Sequence, residues 1–179
     1  MVSKAIFLDR DGVLNYLVDH HGEMTAPWHI DEFEIIDGAK EAVDIFKKMG
    51  YYTFVVTNQP DVNDGYLPLM HLNIMTKICQ NYIGVDSVLC AHERGSAWYK
   101  PNNGMIETFI RDYNIDRGSS YIVGDRWKDI VAGHKSKLTT MFVGDRYISP
   151  DKYKNIQPDF TVDNVLHAAM IIKELNNDD

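Results

Sequence analysis

Apolar residues follow two spacings along this chain, short unbroken runs and stretches with a helical period, and their alternation predicts the fold. Residues 5–8, 52–56, 87–90, 121–123 and 140–143 are compact apolar or β-branched runs that read as strands, with 160–162 as a short edge strand. Between the first two, residues 38–49 carry Ala39, Ala42, Val43 and Phe46 at helical spacing and stop at Gly50. Residues 67–82, 105–113, 125–135 and 164–175 read as further helices, and Asn176-Asn177-Asp178-Asp179 as a frayed end. Repeated strand–helix units predict an α/β fold, a Rossmann-like three-layer sandwich around a mostly parallel central sheet. In such a sheet the carboxyl ends of the strands share one edge, and ligands bind in the crevice outside it.

That edge collects the candidate chemistry. The run Ile6-Phe7-Leu8 empties into Asp9-Arg10-Asp11-Gly12. Carboxylates two residues apart at a strand's end point to the same side, and they repel unless a cation or a shared proton relieves them. The second strand ends in Thr57-Asn58-Gln59, Lys100-Pro101 follows the loop after the third, and Gly124-Asp125-Arg126-Trp127-Lys128-Asp129 follows the fourth. The four-residue spacing of Asp125 and Asp129 sets both on one helical face. Three or four carboxylates in one crevice call for a divalent cation, and hard oxygen donors favour Mg²⁺ over zinc. A cation with a lysine and hydroxyl or amide donors suits the oxygens of a phosphoryl group in transfer, and a carboxylate beside it can serve as nucleophile. The tetrad Val-Gly-Asp-Arg occurs at 123–126 and again at 143–146. Only the first copy leads into a helical pattern with a second aspartate, so Asp125 is the candidate ligand and Asp145 a loop residue.

Composition narrows the partners. The 179 residues are enough for a single domain spanning 1–179, and a net charge of −8 without a basic block argues against nucleic acid and anionic membranes. No apolar run approaches a membrane span, and the N-terminus leads into a strand without a signal-peptide pattern. The two cysteines, Cys79 and Cys90, form no disulfide framework. The expectation is a cytoplasmic monomer acting on a small phosphorylated molecule. A receiver domain would carry its phosphoacceptor aspartate after the third strand, where this chain has Cys90-Ala91-His92, and a dinucleotide oxidoreductase would have a glycine-rich turn after the first.

Taken in order, Asp9-x-Asp11-Gly12, Thr57-Asn58-Gln59, Lys100-Pro101 and Gly124-Asp125-x-x-x-Asp129 resemble the four motifs of the haloacid dehalogenase-like (HAD) phosphatases. The wording is most similar to the branch of heptose bisphosphate phosphatases and histidinol phosphatase domains, and the similarity runs from residue 5 to about 143. The resemblance implies that Asp9 attacks phosphorus and that Asp11 protonates the leaving oxygen, then activates water. It implies phosphoryl-oxygen contacts from Thr57, Asn58, Lys100 and Arg126. It implies Mg²⁺ held by Asp9, the Asp11 backbone carbonyl and Asp125, with Asp129 in support. The implied activity is Mg²⁺-dependent phosphomonoester hydrolysis of a sugar phosphate or similar polar metabolite. A histidinol-phosphate-type phosphatase and a catalytically weak binding module are the alternatives. Without a long insertion there is no separate cap domain, and specificity would rest on loops 15–33, 60–66 and 91–99.

The chain departs from that branch in places. The branch carries a four-ligand zinc loop before its Lys-Pro; here only Cys90 and His92 remain, with Ser96 and Trp98 in place of later cysteines, which argues against zinc. Tyr99 stands where the branch has arginine, and Asp64 falls where another cation is usual. An unpaired aspartate there would repel a second phosphate, so this reading favours a monophosphate, with Arg94 a candidate to compensate. In the first long loop, His20-His21 reads as solvated, and Trp28 as an aromatic available to stack on a sugar face.

Overall fold

The protein is described by a computed structural model covering residues 2–177. Six strands build one sheet: β1 (Lys4–Leu8), β4 (Tyr51–Asn58), β5 (Ser87–Ala91), β6 (Tyr121–Gly124), β7 (Thr139–Val143) and β8 (Phe160–Val162), in the order β5-β4-β1-β6-β7-β8. Every neighbouring pair is parallel. Alternation along β1 shows why two layers of helices form. Ile6 and Leu8 pack on one face with α1 (Ala39–Lys48) and α6 (Val165–Asn177), through Ala42, Phe46, Ala169 and Ile172. Ala5 and Phe7 pack on the other with Met105 and Phe109 of α4 (Gly104–Tyr113) and Ala132 of α5 (Trp127–Lys135). Apolar side chains on both faces of a strand require cover on both sides, and the two helical layers supply it.

The chain runs from β1 outward to β4 and β5, then crosses back to β6 on the other side of β1. The order therefore reverses between β1 and β6, the place where an open parallel sheet leaves a crevice at its carboxyl edge. Elements invisible in the apolar pattern sit on this edge. Val18–His20 (β2) and Glu23–Thr25 (β3) form an antiparallel hairpin after β1, and Asp61–Asp64 (α2) makes a single turn after β4. The helix expected over 67–82 is α3 (Leu69–Ile78) followed by a π-turn over Cys79–Ile83. Part of the expected frayed end is helical instead: Asn176 lies within α6, and its Oδ1 accepts hydrogen bonds from Lys4 Nζ and Tyr51 Oη. Asp178 and Asp179 lie outside the described residues.

Candidate active site

Asp9 is the first residue beyond β1, and its backbone N–H still reaches Val123 O at 2.9 Å, so the sheet fixes where its side chain starts. The chain then turns sharply: Arg10 O accepts from the N–H groups of Val13, Leu14 and Asn15. Gly12 makes the turn at φ +83°, and a Cβ there would fall on the Asp125 carboxylate. A Cβ on Gly124 would likewise strike Asp129. Glycine is needed at both positions because carboxylates crowd the backbone. Gly12→Ala is expected to displace Asp125 and cut turnover by about a hundredfold in a protein that remains folded. Steady-state kinetics alongside circular dichroism checks this.

Lys100 joins the carboxylates from the β5–α4 loop. Its Nζ lies 2.9 Å from Asp9 Oδ1 and 2.5 Å from Asp129 Oδ1, and the residue is 2% exposed. Burial alone would strip the ammonium of its proton, but the charges of Asp129 and Asp9 outweigh it and raise its pKa. Asp129 turns its other oxygen to Arg126 N–H at 3.0 Å, capping the start of α5. Asp125 has no such relief, since its Oδ1 is buried without a hydrogen-bond partner and Arg126 Nε stands 3.7 Å from Oδ2. Burial, then Asp9 and Asp129, push Asp125 up to about 8. Asp9 rises to about 6, by burial and Asp129, against the pull of Lys100.

Asp9, Asp125 and Asp129 each offer a carboxylate oxygen, all within 4.8 Å of one another. One lysine cannot balance three carboxylates, and Asp125, a member of the group, keeps a buried oxygen without a partner. The donor set is hard, anionic and short of positive charge, which fits Mg²⁺. The Asp11 side chain, expected near this group, is not part of the cluster.

Thr57 and Asn58 arrive where expected, at the end of β4, but their side chains are engaged. Thr57 is fully buried and accepts from Gln59 Nε2 at 2.9 Å. Asn58 spans the Lys100 main chain, donating to Lys100 O at 3.0 Å and accepting from Lys100 N–H at 2.9 Å. In this arrangement the Asn58 side chain fixes the lysine and has both of its polar ends occupied.

Above these groups lies a cavity of about 280 Å³ whose walls include Asp9, Asn58, Lys100, Arg126 and Lys128, roofed by Met24 and Thr25 of the hairpin. Arg126 Nη2 donates to Met24 O at 3.3 Å, tying the roof to the α5 end. A continuous stack anchors the hairpin beside its turn: His20 on Trp28 at 3.6 Å between centroids and Trp28 on Tyr66 at 4.6 Å. Trp28 thus has both faces covered, which removes it as a sugar platform. His20 is not a solvated loop residue either; its ring nitrogens meet Thr25 Oγ1 at 2.5 Å and Glu32 Oε1 at 3.3 Å. His21, at the exposed hairpin tip, fits the expectation.

The specificity loops also differ from the sequence reading. Asp64 is clasped by Arg94 in a two-bonded pair at 2.7 and 2.6 Å, so its charge is neutralised and Arg94 is not free. Lys128, which the sequence reading passed over, lines the cavity with Nζ 5.3 Å from the Tyr99 ring centroid. A cation therefore stands over the tyrosine that replaces the branch's arginine. Cys90 lies on β5, and the His92 carbonyl accepts from Asn63 Nδ2 at 3.2 Å.

Comparison with known proteins agrees with this geometry. A sequence model of the HAD-hydrolase-like family matches residues 97–168. A D-glycero-β-D-manno-heptose-1,7-bisphosphate 7-phosphatase from Pasteurella multocida is 32% identical, covering 98% of this chain and 100% of the relative. The enzyme of the same name from Escherichia coli K12 is 36% identical over 76% of each. Among solved structures, the D,D-heptose 1,7-bisphosphate phosphatase of B. bronchiseptica, complexed with magnesium and phosphate, superposes with a TM-score of 0.77. That match covers 99% of this chain and 100% of the other at 21% identity. The chain belongs to the HAD-like phosphatases, in the branch that contains the heptose bisphosphate phosphatases.

Proposed function

We propose that the protein is a Mg²⁺-dependent phosphomonoester hydrolase working through an aspartyl-phosphate on Asp9, with a heptose bisphosphate as substrate. The observation that carries this reading is the placement of Lys100 between Asp9 and Asp129, beside the uncompensated Asp125. Asp9, Asp125, Asp129 and the Asp11 carbonyl would hold Mg²⁺, which when bound keeps these carboxylates ionised and offsets phosphoryl charge. Both described hydrogen bonds to the Asp9 carboxylate, from Arg10 N–H and Lys100 Nζ, go to Oδ1. Oδ2 is left to attack phosphorus. Lys100 steadies the nucleophile and faces the phosphoryl oxygens, while the ester oxygen leaves with a proton from Asp11. In the second half Asp11 takes a proton from the attacking water and the Asp9–phosphorus bond breaks.

The substrate reading rests on charge. Asp64 is cancelled by Arg94, so the repulsion that favoured a monophosphate is gone, while Arg126 and Lys128 remain at the cavity wall. Two cations there suit a second phosphate. The named activity of the relatives points the same way.

The test is Mg²⁺-dependent phosphate release from heptose 1,7-bisphosphate, heptose 7-phosphate, a hexose 6-phosphate and histidinol phosphate, with Asp9→Asn as the blank. Preference for the bisphosphate supports the proposal; preference for histidinol phosphate, or release no greater than the blank, overturns it and favours an alternative from the sequence. Metal analysis is expected to find no stoichiometric zinc, because Cys90 and His92 supply two of the four ligands a structural site needs. A chelator-resistant equivalent would contradict that. No helix among the described residues is long and apolar enough to cross a membrane, and both cysteines are free.

A further inference from the structure

Asp61 opens the turn α2, directly after Thr57-Asn58-Gln59-Pro60, and it lines the catalytic cavity. The residue is half-buried, yet its carboxylate receives no hydrogen bond and no ion pair from any described residue. The other carboxylates that reach this cavity from the strand ends are committed: Asp9 and Asp129 to Lys100, and Asp11 to Arg10. Glu23 also edges the cavity, from the hairpin, but stands exposed to solvent. Among the described residues, Asp61 is thus the half-buried carboxylate of the cavity that the proposed reaction leaves unused.

The lack of a partner is built into the turn. Arg94, whose charge reaches Asp61, commits both terminal nitrogens to Asp64, at 2.7 and 2.6 Å. Two acids face one arginine, and burial together with the Asp64 charge raises the Asp61 pKa. The position is nonetheless fixed. The Asp61 carbonyl accepts from the N–H groups of Tyr66 and Leu67 at 2.9 and 3.0 Å. Leu67 is buried with Leu72 and Met75, and Tyr66 stacks on Trp28. A carboxylate held at the wall of a site and denied a donor costs stability, and the cost is offset when a ligand brings the donor.

We infer that Asp61 is a specificity-determining residue, its carboxylate accepting hydrogen bonds from hydroxyl groups on the carbon skeleton of the substrate. The inference rests on the proposed phosphatase reaction and deepens it, by tying the choice of substrate to its hydroxyls as well as to its phosphates. A bare carboxylate repels phosphate, so Asp61 counts against an ester that brings phosphate alone. Hydroxyls reverse the effect, because they donate without adding charge and a carboxylate accepts more strongly than a neutral group. An ammonium would donate too, but Lys100, Arg126 and Lys128 line the same cavity and repel it. A polyhydroxy chain carrying phosphate satisfies both sets of charges.

The experiment measures Mg²⁺-dependent kcat/KM of the wild type, Asp61→Ala and Asp61→Asn on heptose 1,7-bisphosphate, p-nitrophenyl phosphate and histidinol phosphate. The quantity read is the ratio of the sugar ester to the nitrophenyl ester, which has a phosphate but no hydroxyl. Asp61→Ala is expected to lower that ratio by about 10–100-fold, mainly through KM. Relief of charge repulsion would help the bisphosphate at least as much as the nitrophenyl ester, so it cannot lower the ratio. Asp61→Asn, whose amide oxygen still accepts but more weakly, should lower it by about three- to tenfold. That variant carries the test if Asp61→Ala fails to fold. An unchanged ratio, whether both activities fall together or neither does, would overturn the inference and leave the phosphatase reading intact. A loss confined to histidinol phosphate would assign Asp61 to an ammonium group and also overturn it. A wild type that released phosphate from none of the three esters would sink the phosphatase reading and this inference with it.

Discussion

Asp9→Asn abolishes turnover, lowering phosphate release by about 10⁴-fold or more while leaving the fold intact. Losses of this size follow removal of a reacting nucleophile, because the remaining groups can bind the substrate but cannot form the covalent intermediate. The amide is almost the size of the carboxylate. Its oxygen can still accept from Arg10 N–H and Lys100 Nζ, which stand 2.8 and 2.9 Å from Asp9 Oδ1. What disappears is the anionic oxygen that attacks phosphorus. Stability should move the other way. Burial and Asp129 raise the Asp9 pKa to about 6, so the charged side chain opposes folding at neutral pH without a cation. Removing one of three crowded charges should leave the metal-free variant at least as resistant to heat as the metal-free wild type. Phosphate release and thermal unfolding on the same preparation check both halves. Substantial residual turnover would move the nucleophile away from Asp9.

The architecture was legible where one physical rule dominates. Runs such as Ile6-Phe7-Leu8 must be buried on both faces, which dictates the layered sheet, and topology then brings Asp9, Asp125, Asp129 and Lys100 to one edge. The legible part ended where tertiary contacts decide. Val18–His20 and Glu23–Thr25 are too short and mixed to announce a hairpin; the stack of His20, Trp28 and Tyr66 holds it against the rest of the chain. Asp64 read as a charge that repels a second phosphate, with Arg94 only a candidate to compensate, because the pair is separated by 30 residues and spans two loops. Lys128 was hidden in a helical motif read for its aspartates. Arg10 and Gln59 stood inside the quoted motifs, yet their bonds to Asp11 depend on a turn and a strand end meeting in space. Polar residues wedged among motif aspartates were the available signal.

Chelating Mg²⁺ is expected to abolish activity and to reverse how stability responds to pH. In the metal-free protein Asp125 titrates at about 8 and Asp9 at about 6, both above the ordinary carboxylate value of 3.8. Across the window from roughly pH 4 to 8 the folded state then holds more protons than the unfolded chain. Raising the pH through that window therefore costs stability, since folding must keep repelling charges together. The groups whose carboxyl pKa is lowered, such as Glu107 bonded to Arg117, contribute in the opposite sense, but only nearer the acid end. A bound cation removes the penalty by stabilising the ionised carboxylates, and it binds more tightly as protons cease to compete. At about a hundredfold excess over its Kd, a ligand adds roughly 2.7 kcal/mol, or about 5–10 °C in Tm for a chain of this size. The gap between Mg²⁺ and chelator should reach that size near pH 8 and shrink toward pH 5. Asp125→Asn should flatten the metal-free pH dependence and erase most of the Mg²⁺ shift, because it removes both the most perturbed carboxylate and a cation donor. A Mg²⁺ shift that stayed constant or grew toward pH 5 would mean that these carboxylates are already ionised without metal, and that Lys100 alone balances the site.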